Sequence, residues 1–256
     1  MDLKLFFQTF PDEKSCKIFV KNQREERGVL CKKCGGVSHF WIEKKEQWQC
    51  KGCKFRTTLK SGTFMESSKL SFQTWFYAIA LMNMTKKGFS AKEIQRQLQF
   101  KYYEPVWYMM HKIRRKMGDM LHGIDFVCPV FVQDTISMME QETMTRKKKV
   151  ISLYGAILKD KQKKDKLCLM RLRAIDAEDL PKVLHKRELF GLTVPPLKQK
   201  WKDRALENLM RVFDGIHHQV SGKYLQNYLD EFSFKYIQRG SHLDLFNTFI
   251  YAAFVW

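Results

Sequence analysis

The stretches Cys31-Lys-Lys-Cys34 and Cys50-Lys-Gly-Cys53 decide how the first part of this 256-residue chain folds. Each places two cysteines three positions apart, and fifteen residues separate the two pairs. Two such pairs at this separation supply the four thiolates of a tetrahedral zinc site, each pair from one tight turn. The alternatives are two disulfides or four unrelated thiols, and a redox pair would not explain the duplication. The spacing therefore predicts a structural zinc ribbon on Cys31, Cys34, Cys50 and Cys53, with no coordination position left for catalysis.

The charge of the chain indicates a polyanionic partner. There are 46 lysine and arginine residues against 27 aspartate and glutamate residues, so the formal net charge is +19. Such an excess attracts nucleic acid at long range, and phosphate contacts release counterions. We expect no membrane partner, because no signal-peptide pattern opens the chain and no apolar run reaches the roughly 18 residues of a span. Cys16, Cys128 and Cys168 are interpreted as free buried thiols, which together with bound zinc favour a reducing, cytoplasmic location.

Residues 66–121 are predicted to form three helices. Gly88 ends the first helix, and Ser90 and Glu93 have the spacing of a capping box for a short second helix. Two sets of apolar residues recur at helical spacing. They are Phe72, Trp75, Phe76, Ile79 and Met82 in the first helix and Val106, Met110, Ile113 and Met117 in the third.

The third of these helices is basic, and its pattern leaves two interpretations of the segment open. A long helix, a short capped helix and a basic helix follow the order of a helix-turn-helix. Any three-helix bundle with a solvated basic face would give the same pattern. The neighbouring zinc ribbon favours the DNA-binding interpretation. The candidate DNA contacts are Lys112, Arg114, Arg115 and Lys116.

The remainder of the chain combines strands and helices. Three β-like runs at 130–132, 150–158 and 167–175 are separated by basic turns at 146–149 and 159–166, which favours an antiparallel meander. Helical patterns follow at 177–186, 201–213, 223–236 and 243–253. Near the N-terminus, a helix at 12–22 and a last ribbon hairpin at 57–64 are also expected. The fold class is therefore α+β and multidomain.

Segments at both ends of the chain carry a resemblance to a known family. They are Leu59-Lys-Ser-Gly-Thr-Phe64 with Lys69-Leu-Ser-Phe-Gln-Thr-Trp75, Thr85-Lys-Lys-Gly-Phe-Ser-Ala91 with His111-Lys-Ile-Arg-Arg-Lys-Met117, and His217-His-Gln-Val-Ser221 with Lys223-Tyr-Leu-Gln-Asn-Tyr-Leu-Asp-Glu-Phe-Ser-Phe-Lys235. Together they resemble bacterial insertion-sequence transposases with an N-terminal zinc ribbon, a helix-turn-helix and a DDE-type, ribonuclease-H-like catalytic domain. The resemblance implies a ribbon at 1–65, a helix-turn-helix at 66–121 and a truncated ribonuclease-H-like α/β domain at 126–256.

The same resemblance implies an activity and its partners. Such a protein binds the terminal inverted repeats of double-stranded DNA, as a homo-oligomer on the DNA ends, in the bacterial nucleoid. It cleaves and transfers DNA strands with two Mg²⁺ or Mn²⁺ ions. The ligands are an Asp on the first strand, an Asp after a fourth strand, and a Glu or Asn on a late helix.

This chain departs from the family at the first two ligands. Where the family has Asp-Glu-Thr, it has Gln133-Asp134-Thr135, so a neutral Gln133 occupies the first Asp position. Asp134 would point to the opposite side of the strand unless the register shifts by one residue. No fourth strand with its Asp is recognisable before residue 201. Asp176 and Asp179 follow the third strand too closely, and better fit the acidic first turn of a helix.

The third ligand position is occupied by Asn208, with Glu207 as the alternative. Either residue also fits an exposed polar position on a helix. The sequence thus predicts a transposase copy with impaired catalysis. The alternative is a non-catalytic regulator that binds DNA through the ribbon and the helix-turn-helix. A zinc module that contacts only protein is disfavoured by the charge of +19.

Overall fold

The computed structural model describes residues 3–85, 88–122, 134–139, 146–160, 163–176, 207–217, 220–238 and 245–254. They belong to two compact units. The first unit combines Met1–Thr85, Ala91–Lys116 and Asp244–Trp256, and the second combines Lys86–Ser90 and Met117–Leu243. The end of the chain therefore packs with its beginning, a contact that the sequence did not predict. The domain boundaries at 65/66 and 121/126 stay predictions.

The first unit opens with helices α1 (Leu3–Thr9) and α2 (Glu13–Arg27). Asp12 caps α2: its Oδ1 accepts from the Ser15 amide at 2.7 Å, and Ser15 Oγ accepts from the Asp12 amide at 3.3 Å. This reciprocal pair satisfies amides that a helix start leaves without partners. The helix ends at Gly28, whose φ is +83°. The helix predicted at 12–22 is confirmed and continues to Arg27.

The ribbon forms a three-stranded antiparallel sheet in the order β1 (His39–Ile42), β2 (Gln47–Cys50), β3 (Arg56–Thr58). A 3₁₀ turn at Glu43–Lys45 joins β1 to β2. The hairpin predicted at 57–64 is correct only as far as Thr58. Beyond it the chain makes successive turns, with bonds such as Thr63 N to Lys60 O at 3.1 Å. The backbone amides in these turns therefore donate to nearby carbonyls rather than to a neighbouring strand, and β3 ends at Thr58.

Three helices follow, as predicted: α3 (Phe72–Met84), α4 (Ala91–Gln97) and α5 (Tyr103–His122). Every apolar position assigned to the buried faces of α3 and α5 is buried. The turn between α4 and α5 is held by Gln95, whose Nε2 donates to the carbonyls of Phe100 (3.0 Å) and Lys101 (3.2 Å). Gln99 in this turn has a φ of +54°.

The C-terminal helix α7 (Leu245–Ala253) completes an aromatic core in the first unit. Phe246 lies 5.6 Å from Phe6 and 5.9 Å from Phe10, and Phe10 lies 4.9 Å from Phe76, between ring centroids. Edge-to-face and tilted arrangements at these distances are favourable for aromatic rings. The helix predicted at 243–253 is thus confirmed, and it holds α1 and α3 together.

The second unit contains an antiparallel sheet in the order β4 (Asp134–Met139), β5 (Arg146–Asp160), β6 (Lys163–Asp176). The predicted meander is confirmed, but the basic segments 146–149 and 159–166 are largely strand rather than turn. Backbone pairing continues through them, and it places Lys149 opposite Asp176 and Asp160 opposite Lys163. Opposite charges at paired positions favour such an extension. The first run, 130–132, lies outside the described residues.

Helical segments complete the second unit. Residues 207–212 are α-helical and lead into a π-helical turn at Phe213–His217, and helix α6 spans Leu225–Gln238. On α6, Glu231 and Lys235 form a buried ion pair at 2.6 Å. A Cβ on Gly118 would clash with the Asp230 carboxylate, so α6 packs directly against the backbone there. The predicted helix at 177–186 falls outside the described residues.

Candidate metal centre and candidate nucleic-acid interface

The four predicted cysteines come together in the ribbon. Their Sγ atoms all lie within 4.8 Å of one another. Cys31 and Cys53 are 3.4 Å apart and Cys34 and Cys50 are 3.6 Å apart, so the short contacts join one pair to the other. A disulfide needs about 2.05 Å between its sulfurs. Four sulfurs at about 2.3 Å from one zinc would lie about 3.8 Å apart. The cluster could therefore hold a metal ion such as zinc.

The two cysteine turns have the same backbone geometry. In the first, Gly35 N donates to Cys31 O at 2.8 Å, and in the second, Lys54 N donates to Cys50 O at 3.0 Å. The residue after each second cysteine is left-handed: φ is +69° at Gly35 and +60° at Lys54. Each turn thus points two thiols to one side. Lysine, unlike glycine, is strained in this conformation.

We expect Lys54→Gly to stabilise the zinc-loaded protein by about 0.5–1 kcal/mol. The left-handed backbone costs lysine about 1–2 kcal/mol, part of which the flexibility of glycine in the unfolded chain offsets. Urea unfolding of the metal-loaded protein measures the change. The matched control is Lys51→Gly in the same turn, where φ is not positive and only the entropic loss remains. A less stable Lys54→Gly protein would contradict the strain.

The thiols of the cluster differ in acidity. Burial raises the pKa of Cys31. Hydrogen bonds from the amides of Cys34 and Lys33 and from the neighbouring thiols outweigh burial, so the pKa is lowered to about 7. At Cys34 the Gly36 amide lowers the pKa, but the hydrogen bonds of Cys34 with the thiols of Cys53, Cys31 and Cys50 raise it, to about 12. Four adjacent thiolates thus repel one another. A divalent cation removes this obstacle because it stabilises the thiolate form of each ligand.

Arg24 anchors the ribbon to α2, a role that the sequence did not indicate. Its side chain is 1 % exposed, and Nη1 donates to the carbonyls of Thr58 (2.8 Å) and Leu59 (2.9 Å). The guanidinium also lies 5.0 Å from the centroid of the Trp48 ring. Burial lowers the pKa of Arg24 to about 10. The Arg24 guanidinium therefore stabilises packing within the first unit and is not exposed for contact with a partner molecule.

The four basic residues proposed on α5 do not share one environment. Arg115 is exposed, and Lys112 and Lys116 are half-buried. Arg114 is 1 % exposed, because it follows Met110 by four residues and precedes Met117 by three, which places it on the apolar side of the helix. Lys112 Nζ donates to the Glu66 carbonyl at 2.6 Å. A phosphate contact from Arg114 is thus not supported by its position.

Exposed aromatic residues at the start of α5 were missed by the sequence analysis. Tyr102 is 62 % exposed and Tyr108 is 61 % exposed, and Tyr103 is also exposed. Large exposed rings beside basic residues suit contact with bases or sugars. The signal was the cluster of tyrosines beside Lys101, but exposure itself could not be read from it.

The candidate catalytic residues that the structure describes come from separate elements. Asp134 is the first residue of β4, opposite Ile151, and Asp176 is the last of β6. Glu207 is exposed and forms an ion pair with Arg211 at 3.4 Å, while Asn208 is half-buried. Gln133 and Asp179 lie outside the described residues. Among residues with described side chains, the cysteine cluster is the one group suited to a metal.

Two further findings concern what kind of protein this is. No helix in the described ranges is both long and apolar enough to cross a membrane. No protein-family model, curated protein or solved structure matches the chain. The likeness to transposases therefore rests on the sequence segments quoted above.

Proposed function

We propose that this chain is a zinc-ribbon and helix-turn-helix DNA-binding protein of the insertion-sequence transposase type, impaired in strand transfer. The observation that carries the proposal is the four-cysteine cluster directly followed by helices α3–α5, in a chain with a net charge of +19. A ribbon on its own serves many partners. Beside three helices in this order and this charge, DNA is the partner it suits best.

In this proposal the metal is zinc and its role is structural. Four thiolates complete a tetrahedral shell and leave no position for water or substrate. The ribbon is small and contains few buried apolar residues, notably Trp48 and Leu59, so the metal would supply much of its folding energy. The zinc would thereby orient the ribbon lysines toward a DNA backbone.

The DNA contact proposed for α4 and α5 follows from their exposed residues. In a helix-turn-helix the N-terminal end of the second helix approaches the bases. Here that end carries Tyr102, Tyr103 and Tyr108, and Arg115 lies two turns beyond Tyr108 on the same side. The tyrosines would contact bases and sugars, and Arg115 a phosphate. The proposed target is the terminal inverted repeat, bound by an oligomer of the chain.

A regulator without catalytic activity is the second candidate function. It is favoured by the neutral Gln133 at the first ligand position and by Glu207, whose described contact is an exposed ion pair with Arg211. Such a protein would occupy DNA ends and exclude an active transposase from them. Binding to end-containing duplex without any cleavage in Mg²⁺ or Mn²⁺ would favour the regulator.

Arg115→Glu is expected to weaken binding to duplex DNA on the order of tenfold at moderate salt, and equally for all sequences. Removal of one phosphate contact also reduces the slope of log affinity against log salt by about 0.9. Fluorescence anisotropy over a salt series measures both. Arg27→Glu, an exposed arginine at the end of α2, is the charge-matched control. Flat salt dependence in the unmodified protein would remove DNA as the partner.

A further inference from the structure

A groove of about 450 Å³ opens in the first unit between α2, the 3₁₀ turn of the ribbon and the segment before α3. Four lysines line it, together with two glutamates. The lysines are Lys17, Lys45, Lys60 and Lys69, and the glutamates are Glu13 and Glu46. Its volume is in the range of protein sites that bind ligands. None of the described residues that line the groove belongs to helix α5.

Both glutamates already have partners. Glu46 pairs with Lys17 at 2.6 Å. The Glu13 carboxylate accepts from the amides of Phe72 (3.0 Å) and Gln73 (2.8 Å), where it caps α3. An acidic group at a helix start is stabilised by the helix dipole, so Glu13 is held there. Burial lowers the pKa of Lys60, and the Glu13 carboxylate, which also attracts the Lys60 ammonium, opposes that shift. The two glutamates thus offset the charges of Lys17 and Lys60.

Two lysines of the groove remain without a counter-ion. Lys60 is committed, because its Nζ donates to the carbonyls of Ser68 (3.0 Å) and Leu70. Lys45 and Lys69 are exposed, and neither has an ion-pair or hydrogen-bond partner among the described residues. The groove therefore presents two free ammonium groups from two different segments, over a wall whose other charges are balanced.

The residues that line the groove suit contact with a nucleic-acid phosphate backbone better than contact with a nucleobase. Its aromatic residue, Phe72, is buried, and the Lys60 ammonium lies 4.9 Å from the ring centroid. No exposed ring lines the groove to stack on a base, whereas lysines act as point charges toward phosphates. We propose that this groove binds the phosphodiester backbone of DNA through Lys45 and Lys69, without reading sequence. The inference rests on the proposed function and names a second contact surface for it.

The test uses the zinc-loaded full chain and a labelled duplex of arbitrary sequence. The double variant Lys45→Gln/Lys69→Gln is expected to reduce the salt slope by about 1.8, since each phosphate contact contributes about 0.9. The control is Lys4→Gln/Lys223→Gln, which removes the same charge at exposed lysines outside the groove. An unchanged slope in the groove variant, with normal binding by the unmodified chain, overturns the groove alone. No binding by the unmodified chain overturns the groove and the proposed function together.

Lysine acetylation read by mass spectrometry provides a second measurement on the same complexes. Duplex DNA is expected to protect Lys45 and Lys69 from acetylation and to leave Lys4 reactive. Polyglutamate is the competing polyanion. If it protects these two lysines while duplex does not, the groove binds acidic protein and the proposal is wrong. Protection by duplex in wild type, together with the lower salt slope of the variant, supports it.

Discussion

Cys50→Ser is expected to abolish stoichiometric zinc binding and to unfold the ribbon. The unmodified chain should contain one zinc per molecule. Cys50 is buried at the end of β2, 3.6 Å from Cys34 Sγ, so its loss opens the centre of the cluster. Structural zinc contributes an apparent free energy of about 10–16 kcal/mol to small domains, far more than the ribbon's few buried side chains can replace. This is the largest stability effect that we expect in the chain.

Metal analysis of protein purified without added metal measures this effect, and tryptophan emission, to which buried Trp48 on β2 contributes as one of six tryptophans, reports the loss of the fold. The matched control is Cys16→Ser. The Cys16 thiol is buried in α2, burial raises its pKa to about 12, and it belongs to no cluster among the described residues. We expect that variant to keep its zinc, with a loss of about 1–3 kcal/mol for the buried hydroxyl. Equal zinc in the Cys50→Ser and unmodified proteins would refute the site.

The ribbon was predictable because its chemistry is local. Two turns of four residues each determine where four thiols point, and the hairpin between them is short. The same holds for α3 and α5, whose apolar residues recur at helical spacing and are buried. Arg114 shows the limit of such reasoning. A run of basic residues suggested a solvated face, but the position of Arg114 between Met110 and Met117 buries it.

Long-range contacts were not predictable from local pattern. The packing of Phe246 on Phe6 and Phe10 brings the two ends of the chain together, and no local sequence pattern predicts this contact. Arg24 is a similar case, since an arginine near the end of an amphipathic helix is normally solvated. Its partners are backbone carbonyls of Thr58 and Leu59, which carry no side-chain signal.

The strand boundaries were wrong for a related reason. Backbone pairing does not require apolar side chains, so β5 and β6 continue through segments rich in lysine. The basic segments 146–149 and 159–166 were therefore assigned to turns, although they are largely strand. The first strand differs in the same way, since β4 spans Asp134–Met139 whereas the predicted run ended at 132.

We expect the unmodified chain to show no strand transfer, and Gln133→Asp to remain inactive. Asp134 is paired through Ile151 with Ala174, so Asp176 lies two strands and two residues away. Neighbouring strands lie about 4.8 Å apart and each residue rises about 3.3 Å along a strand, so the backbones of Asp134 and Asp176 are about 12 Å apart. A two-metal site holds its ions about 3.5–4 Å apart and needs charged ligands close together. Each missing carboxylate removes several kcal/mol of transition-state stabilisation, or about 10³-fold in rate.

The measurement is 3′-end cleavage and joining of labelled duplexes that carry the terminal inverted repeats proposed as the target, with Mn²⁺ present. Binding of the same duplexes in the same tubes is the control that separates loss of chemistry from loss of recognition. Glu207 and Asn208 are not expected to compensate, since adjacent helical residues face different sides and Glu207 is paired with Arg211. Robust cleavage that Asp134→Asn abolishes would show instead that Asp134 is a working ligand. Cleavage that survives Asp134→Asn, Asp176→Asn, Asp179→Asn and Glu207→Gln would point to a contaminating nuclease, because no candidate carboxylate named for this chain could then account for it.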